Sequence, residues 1–140
     1  MAAMKLVCLD CAQVNRVPSD RISAAKCGTC GAKLLPGKAV EIDLPTLQKA
    51  ARTDDLPLVV DFWAPWCGPC RQMAPAYAQA ATALKTEARL VKLNTEAHAA
   101  AGARYGIRGI PTLIKFAGGR EIKRQAGAVP GPAIISWIKS

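Results

Sequence analysis

The six cysteines of this chain restrict its possible folds more than any other feature, because all of them occur in Cys-x-x-Cys pairs. The pairs are Cys8/Cys11, Cys27/Cys30 and Cys67/Cys70. The first residues contain no apolar segment typical of a secretory signal, so we expect a cytoplasmic protein, in a compartment where thiols are kept reduced. There, paired cysteines indicate metal ligands or redox catalysts rather than a framework of structural disulfides.

Composition and charge argue against several other classes. Apolar residues make up 51% of the chain, enough for a packed core. No run approaches the roughly 18 apolar residues of a membrane span, so we expect no membrane association. The formal net charge of +9 is spread out, with six basic against two acidic residues in 1–38 and thirteen against eight in 39–140. This even distribution disfavours nucleic-acid binding and favours a soluble basic surface.

The first two cysteine pairs predict a metal-binding module over residues 1–38. This segment has little apolar periodicity and is interrupted by proline and glycine, so we expect loops held by something other than an apolar core. The spacing Cys8-x2-Cys11-x15-Cys27-x2-Cys30 lies within the pattern of tetrahedral four-thiolate zinc sites. Four ligands without a fifth candidate predict a closed, structural Zn²⁺ site. Two reversible disulfides, or iron instead of zinc, remain the alternatives.

Residues 39–140 show alternating strand and helix patterns typical of an α/β domain. The predicted strands are Ala39–Ile42, Leu56–Trp63, Leu90–Asn94, Thr112–Ala117 and Glu121–Ala126. The predicted helices run from a cap at Asp43 to about Arg52, from the third cysteine pair to about Lys85, and over Glu96–Tyr105 and Pro132–Lys139. This order predicts a mostly parallel sheet with helices on both faces, closed by an antiparallel hairpin.

The third cysteine pair lies between an apolar strand and a helix, a context that favours redox chemistry over metal binding. Cys67 would occupy the first helical turn, where free backbone N–H groups and the helix dipole stabilise a thiolate. We therefore expect Cys67 to be the nucleophile. Cys70 lies one turn deeper and can resolve a mixed disulfide formed at Cys67. Gly68 permits close approach of a partner backbone, and Pro69 stiffens the loop.

The sequence around the third pair, VVDFWAPWCGPC followed by Pro75, resembles the active-site motif of the thioredoxin family. The resemblance covers residues 39–140, and the N-terminal pairs resemble those of zinc-containing bacterial thioredoxins. Further matching motifs are Val91–Asn94, Tyr105–Thr112, Gly118-Gly119 and Gly127. The resemblance implies an α/β thioredoxin fold, with a central mixed five-stranded sheet flanked by four helices, preceded by a small zinc-ribbon-like module with four cysteine ligands. It also implies a monomeric protein disulfide reductase that works through a Cys67–Cys70 disulfide and is regenerated by an NADPH-dependent thioredoxin reductase.

The resemblance further assigns supporting roles. Asp61, which interrupts the apolar strand, would exchange a proton with Cys70 and pair with Lys92. By sequence alone, an aspartate satisfied by local hydrogen bonds is an equal alternative for Asp61, and an ordinary solvated lysine at a strand edge is the alternative for Lys92. A cis bond is implied between Ile110 and Pro111, where base rates alone favour trans. The expected substrate-binding residues are Trp66, Gly68, Pro69, Ile110, Pro111 and Gly127.

Two other functions remain as alternatives. In one, the zinc ribbon is a binding module carried by a thioredoxin scaffold; in the other, the enzyme is a disulfide oxidase or isomerase. The intact pair of redox cysteines argues against a scaffold, and the lack of a signal segment argues against an oxidase. For the zinc module itself, the oxidisable thiolates favour partner selection or a sensor of oxidative stress.

Overall fold

The fold, taken from a computed structural model that describes residues 3–140, centres on a five-stranded sheet. The strands are β1 Ala3–Val7, β2 Val14–Pro18, β3 Val40–Glu41, β4 Leu58–Trp63, β5 Arg89–Asn94, β6 Thr112–Ala117 and β7 Arg120–Ala126. The α-helices are α1 Leu44–Thr53, α2 Gly68–Ala83, α3 Ala99–Arg104 and α4 Gly131–Lys139. Within this range no helix has both the length and the apolar character needed to cross a membrane.

The main sheet has the strand order β3-β5-β4-β6-β7. β3, β5 and β4 run parallel, whereas β6 and β7 are antiparallel to their neighbours. The predicted mixed five-stranded sheet with four flanking helices is therefore confirmed. Because β4 is central and covered on both faces, its sequence is an almost continuous apolar run, as expected for such a strand.

Alternating residues of β4 enter two separate cores. Val60 and Phe62 pack with Leu47 of α1 on one face of the sheet. Val59 packs with Tyr77 of α2 and with α4 on the other face. Asp61 lies on the same face as Val59 and is fully buried. It is the one charged residue of this strand.

The helix boundaries follow local capping. Asp43 caps α1 by accepting a hydrogen bond from the Thr46 amide at 2.9 Å, as the sequence predicts. α3 is shorter than predicted and begins at Ala99 rather than Glu96. The side chain of Asn94 accepts hydrogen bonds from the amides of Glu96 and Ala97, so the chain turns there before the helix begins.

The N-terminal segment is more regular than the sequence suggests. β1 and β2 form an antiparallel hairpin, followed by a 3-10 helix at Ser19–Ala24. Its apolar side chains form a small core that includes one residue of the main domain. The members are Leu6, Cys8, Val17, Ile22, Cys27, Leu34, Leu35 and Leu56. Val7 joins the core beneath α1, so the hairpin packs directly against the main domain.

Candidate functional site

A disulfide joins Cys67 to Cys70 at the beginning of α2, with their Cα atoms 5.3 Å apart. Cys67 is the N-cap residue, and its Sγ accepts a hydrogen bond from the Cys70 amide at 3.2 Å. The same sulfur lies 3.8 Å from the carbonyl oxygen of Ile110. A thiolate formed at Cys67 after reduction would therefore lie at the positive end of the helix dipole, beside a backbone amide.

An open groove of about 570 Å³ runs beside Cys67. Trp66, 69% exposed, forms its rim, and Gly68, Pro69 and Ile110 line it. The groove also extends toward α3, over residues that the sequence analysis did not assign to substrate binding. These additional residues are Thr95, Ala99, Gly102, Ile107, Arg108 and Gly109.

The Ile110–Pro111 peptide bond is cis, as the resemblance implied and base rates did not. Pro111 is buried, and its carbonyl accepts a hydrogen bond from the Gly127 amide at 2.8 Å. Gly127 has a φ of +89°, a conformation that favours glycine. Gly127 is thus placed next to Pro111 but does not line the groove itself.

Asp61 lies within β4, with both carboxylate oxygens buried and no hydrogen-bond partner among residues 3–140. Burial raises its pKa from 3.8 to about 7, while Lys92 opposes this shift and Glu41 adds to it. Lys92 lies directly opposite Asp61 in the register of β4 and β5. A carboxyl group with a pKa near neutrality can both accept and release a proton under ordinary conditions.

The Lys92 ammonium lies 4.2 Å from the centre of the Trp63 ring. The Trp63 indole Nε1–H donates a hydrogen bond to the carboxylate of Glu41 on the edge strand β3. Tyr77 of α2 lies nearby, and its hydroxyl is within hydrogen-bond distance of the carbonyl oxygens of Val91 and Val59, at 2.8 and 3.0 Å. Sequence reasoning missed Glu41, because its contact with Trp63 spans 22 positions and no local pattern marks it.

The four N-terminal cysteines lie together, with all four sulfur atoms within 4.8 Å of one another. The Sγ atoms of Cys8 and Cys30 are 3.5 Å apart, and those of Cys11 and Cys27 are 3.6 Å apart. A Zn–S bond of about 2.3 Å in a tetrahedron places sulfur atoms about 3.8 Å apart. The donor set and its separations therefore fit a tetrahedral Zn²⁺ ion.

Backbone geometry supports this cluster. The Thr29 amide donates a hydrogen bond to the Sγ of Cys27 at 3.4 Å. Hydrogen bonding from the Cys30 backbone, with help from Asn15, lowers the pKa of Cys27 to about 6. The residue after each second cysteine turns back through the left-handed region, with φ of +66° at Ala12 and +79° at Gly31. Each Cys-x-x-Cys pair thus lies on a tight turn that directs its sulfurs to one point.

Comparison with known proteins identifies both parts of the chain. The family model described as "Thioredoxin" matches residues 39–140, and that described as "Thioredoxin 2, N-terminal", a zinc ribbon, matches residues 7–32. Thioredoxin C-3 of Corynebacterium nephridii is 36% identical over 138 residues, covering 96% of this chain and 93% of that protein. Thioredoxin 1 of a Nostoc strain is 41% identical over 101 residues, covering 72% and 94%.

Solved structures agree with this result. A mutant thioredoxin from Halobacterium salinarum superimposes with a TM-score of 0.66 at 28% identity, covering 74% of this chain and 90% of that one. A chloroplastic thioredoxin z also gives a TM-score of 0.66 at 28% identity, covering 73% and 92%. With the disulfide at the start of α2 and a family model that spans most of its length, the chain belongs to the thioredoxin family of thiol–disulfide oxidoreductases.

Proposed function

We propose that this chain is a protein disulfide reductase in which Cys67 attacks the substrate and Cys70 resolves the intermediate. The observation that carries the proposal is the position of the Cys67–Cys70 disulfide. Cys67 lines the groove and Cys70 does not, and both residues are buried in the oxidised protein, at 4% and 2% exposed. A substrate sulfur can therefore approach the Sγ of Cys67 from the groove. Cys70 can reach the Sγ of Cys67 from inside the protein.

The reaction then has two exchanges. The Cys67 thiolate attacks one sulfur of a substrate disulfide, forming a mixed disulfide and releasing the other substrate sulfur as a thiolate. Cys70 loses its proton and attacks the Sγ of Cys67, which releases the second substrate sulfur and forms the Cys67–Cys70 disulfide. The substrate gains two electrons and the enzyme loses two.

Asp61 is the proposed acceptor of the Cys70 proton, and Lys92 its charged partner. The buried, unpartnered carboxylate and its pKa near 7 support this role, because such a group is ionised often enough to act as a base. The charge of Lys92, opposite Asp61 in the sheet, stabilises the ionised form and keeps the pKa of Asp61 from rising further.

An extended segment of the substrate is proposed to lie in the groove. Trp66, Gly68, Pro69 and Ile110 would contact it directly. Pro111 and Gly127, held together by their backbone hydrogen bond, would set the position of the strand-like segment beside Cys67. This shallow, mostly apolar surface suits a range of peptide sequences rather than one specific ligand.

We divide the chain into a zinc-binding module, residues 1–38, and a thioredoxin domain, residues 39–140. Cys8, Cys11, Cys27 and Cys30 would hold one structural Zn²⁺, which would join the β1–β2 turn to the loop that follows the 3-10 helix. Such an ion supplies folding free energy to a segment with a small core. No catalytic step passes through it.

The proposed setting is the cytoplasm, with the protein acting as a monomer on disulfide-containing proteins. An NADPH-dependent thioredoxin reductase would restore the dithiol, as the family's general cycle of reduction by thioredoxin reductase suggests. The Gly68-Pro69 pair between the cysteines supports a reducing rather than an oxidising role.

The test uses insulin disulfides as substrate, with NADPH and thioredoxin reductase as the electron source. Replacing Cys67 by serine should abolish turnover and the mixed disulfide. Replacing Cys70 by serine should abolish turnover but accumulate a mixed disulfide at Cys67, visible by mass spectrometry and lost on adding dithiothreitol. Normal turnover by either variant, or an equal mixed disulfide in both, would contradict the assignment.

A further inference from the structure

Glu41 connects the edge of the sheet to the segment that leads into the active site. It lies on β3, a strand of two residues, and accepts a hydrogen bond from the indole of Trp63. Trp63 ends β4, four residues before Cys67. The contact therefore joins the least extensive strand of the sheet to the start of the active-site loop.

Glu41 also belongs to a row of charges that crosses three strands. Its register partner on β5 is Lys92, and the register partner of Lys92 on β4 is Asp61. Residues opposite each other in a sheet have side chains on the same face, so Lys92 has an acidic residue on each side, and its charge lowers the pKa of both carboxyl groups. Lys92 therefore interacts with both carboxylates, and the net electrostatic effect on Asp61 depends on the charge of Glu41 as well.

The other groups around this row do not replace Glu41. His98, just before α3, contributes positive charge near Glu41 when protonated. Tyr77 of α2 faces the Asp61 side, but its hydroxyl is directed to backbone carbonyl oxygens. Partial burial raises the pKa of Glu41, while the Trp63 hydrogen bond, Lys92 and His98 oppose the shift.

We propose that Glu41 is a positioning residue for thiol–disulfide exchange, holding the Trp63 indole and sharing Lys92 with Asp61. The inference rests on the proposed role of Asp61 as the base for Cys70. Without the negative charge of Glu41, Lys92 interacts with Asp61 as its single carboxylate partner in the row. The repulsion between the Glu41 and Asp61 carboxylates also disappears. Both effects stabilise ionised Asp61, so its pKa falls below about 7 and it becomes a weaker base.

Two variants separate the two parts of the role. Glu41→Gln removes the charge but keeps an oxygen that accepts the indole hydrogen bond. Glu41→Asp keeps the charge but shortens the side chain, which breaks that hydrogen bond. Glu87→Gln is the matched control, since it removes one negative charge at an exposed residue whose partner is Lys139, outside the row.

The measurements use the oxidised protein, in which Cys67 and Cys70 do not titrate. NMR follows the Asp61 carboxyl carbon against pH and the Trp63 indole Nε1–H resonance. Glu41→Gln should move the Asp61 titration to lower pH and leave the indole resonance near its original position. Glu41→Asp should move the indole resonance and leave the Asp61 titration nearer that of the unmodified protein.

Kinetics provide a second readout. Because Asp61 would be ionised at lower pH in Glu41→Gln, the ratio of the insulin-reduction rate at pH 6 to that at pH 8 should rise about twofold, with KM unchanged. An Asp61 titration that is the same in Glu41→Gln and Glu87→Gln would overturn the proposal. The two proposals fail on different measurements. Failure of the unmodified protein to reduce insulin would contradict the proposed function, whereas the NMR titration tests the effect of Glu41 on Asp61 without any substrate.

Discussion

Asp54 and Arg89 form an ion pair, Oδ2 to Nη1 at 2.6 Å, with side chains only 1% and 2% exposed. The other Asp54 oxygen accepts a hydrogen bond from the Val7 amide at 2.8 Å, and Arg89 donates another to the Leu34 carbonyl at 3.0 Å. One buried pair therefore contacts both the first strand of the N-terminal segment and the chain that leaves it. The segment is fixed to the main domain by charge as well as by apolar contact.

Replacing Arg89 by methionine should destabilise the protein strongly, because it leaves the Asp54 carboxylate buried without its countercharge. Loss of one partner of a buried pair costs about 3–5 kcal/mol. Urea unfolding should show this as a lower midpoint at unchanged slope. Hydrogen exchange should also become faster at the Val7 amide, which donates to Asp54.

The control for this variant is Arg124→Met. Arg124 forms a similarly short pair with Glu121, but about a third of each side chain is exposed. Water screens such pairs, so its loss should cost less than about 1 kcal/mol. Equal costs for the two variants would contradict a special role for the buried pair.

Asp61 should make the oxidised protein less stable as the pH rises. Its pKa is about 7 in the folded state and 3.8 ordinarily, so between these values the folded state binds more protons than the unfolded state. Stability is then greatest below about pH 4 for this group and is lost as the pH rises through about 7. Asp61→Asn removes the penalty and should stabilise the protein at pH 8 by roughly 4 kcal/mol.

The measurement is urea unfolding of the oxidised protein at pH 5 and pH 8. The unmodified protein should lose more stability between these pH values than Asp61→Asn does. Asp20→Asn, at an exposed residue of the 3-10 helix, should behave like the unmodified protein. A pH dependence that persists in Asp61→Asn would show that other groups cause it.

The sequence predicted the elements whose signals are local. The apolar run of β4, the cap at Asp43 and the turn at Gly118-Gly119 each depend on neighbouring residues, and the order of strands and helices in residues 39–140 is as expected. The spacing of the four N-terminal cysteines likewise sufficed to predict that they meet.

Non-local relationships were not predictable in the same way. Asp54 and Arg89 are 35 positions apart, and each looks like an ordinary surface residue in sequence. The hairpin β1–β2 was missed because its two strands are short and contain few apolar residues in alternation. Their buried residues Leu6 and Val17 instead pack against residues far along the chain, such as Leu56. In the groove wall beside α3, Thr95, Ala99 and Gly102 are small residues without a distinctive chemical pattern, so the sequence did not mark them.

The two glycines of the second cysteine turn should differ in importance. Gly31 has a φ of +79°, so Gly31→Ala forces alanine into a strained conformation at a cost of about 1–2 kcal/mol. If the cluster holds Zn²⁺, this strain should weaken zinc binding about fivefold or more in competition with a chromophoric chelator. Gly28→Ala is the control, since its added methyl group would meet only Asn15 at an ordinary 3.8 Å. Equal losses in both variants would argue against the turn as the cause.

The first check of the zinc site is metal content with a thiol count. Freshly reduced protein should contain one zinc per chain and two readily titrated thiols, rising to six when it is denatured with chelator. Six accessible thiols without metal in the native protein would contradict the zinc site itself.

Removing the metal should lower the free energy of unfolding of the whole protein, not that of the N-terminal module alone. Cys8 and Cys27 belong to the same small core as Leu34 and Leu56, so opening the cluster loosens the cover over the Asp54–Arg89 pair. Chelation should therefore lower the urea midpoint monitored at the main domain. An unchanged midpoint after complete removal of zinc would show that the two parts are stable independently.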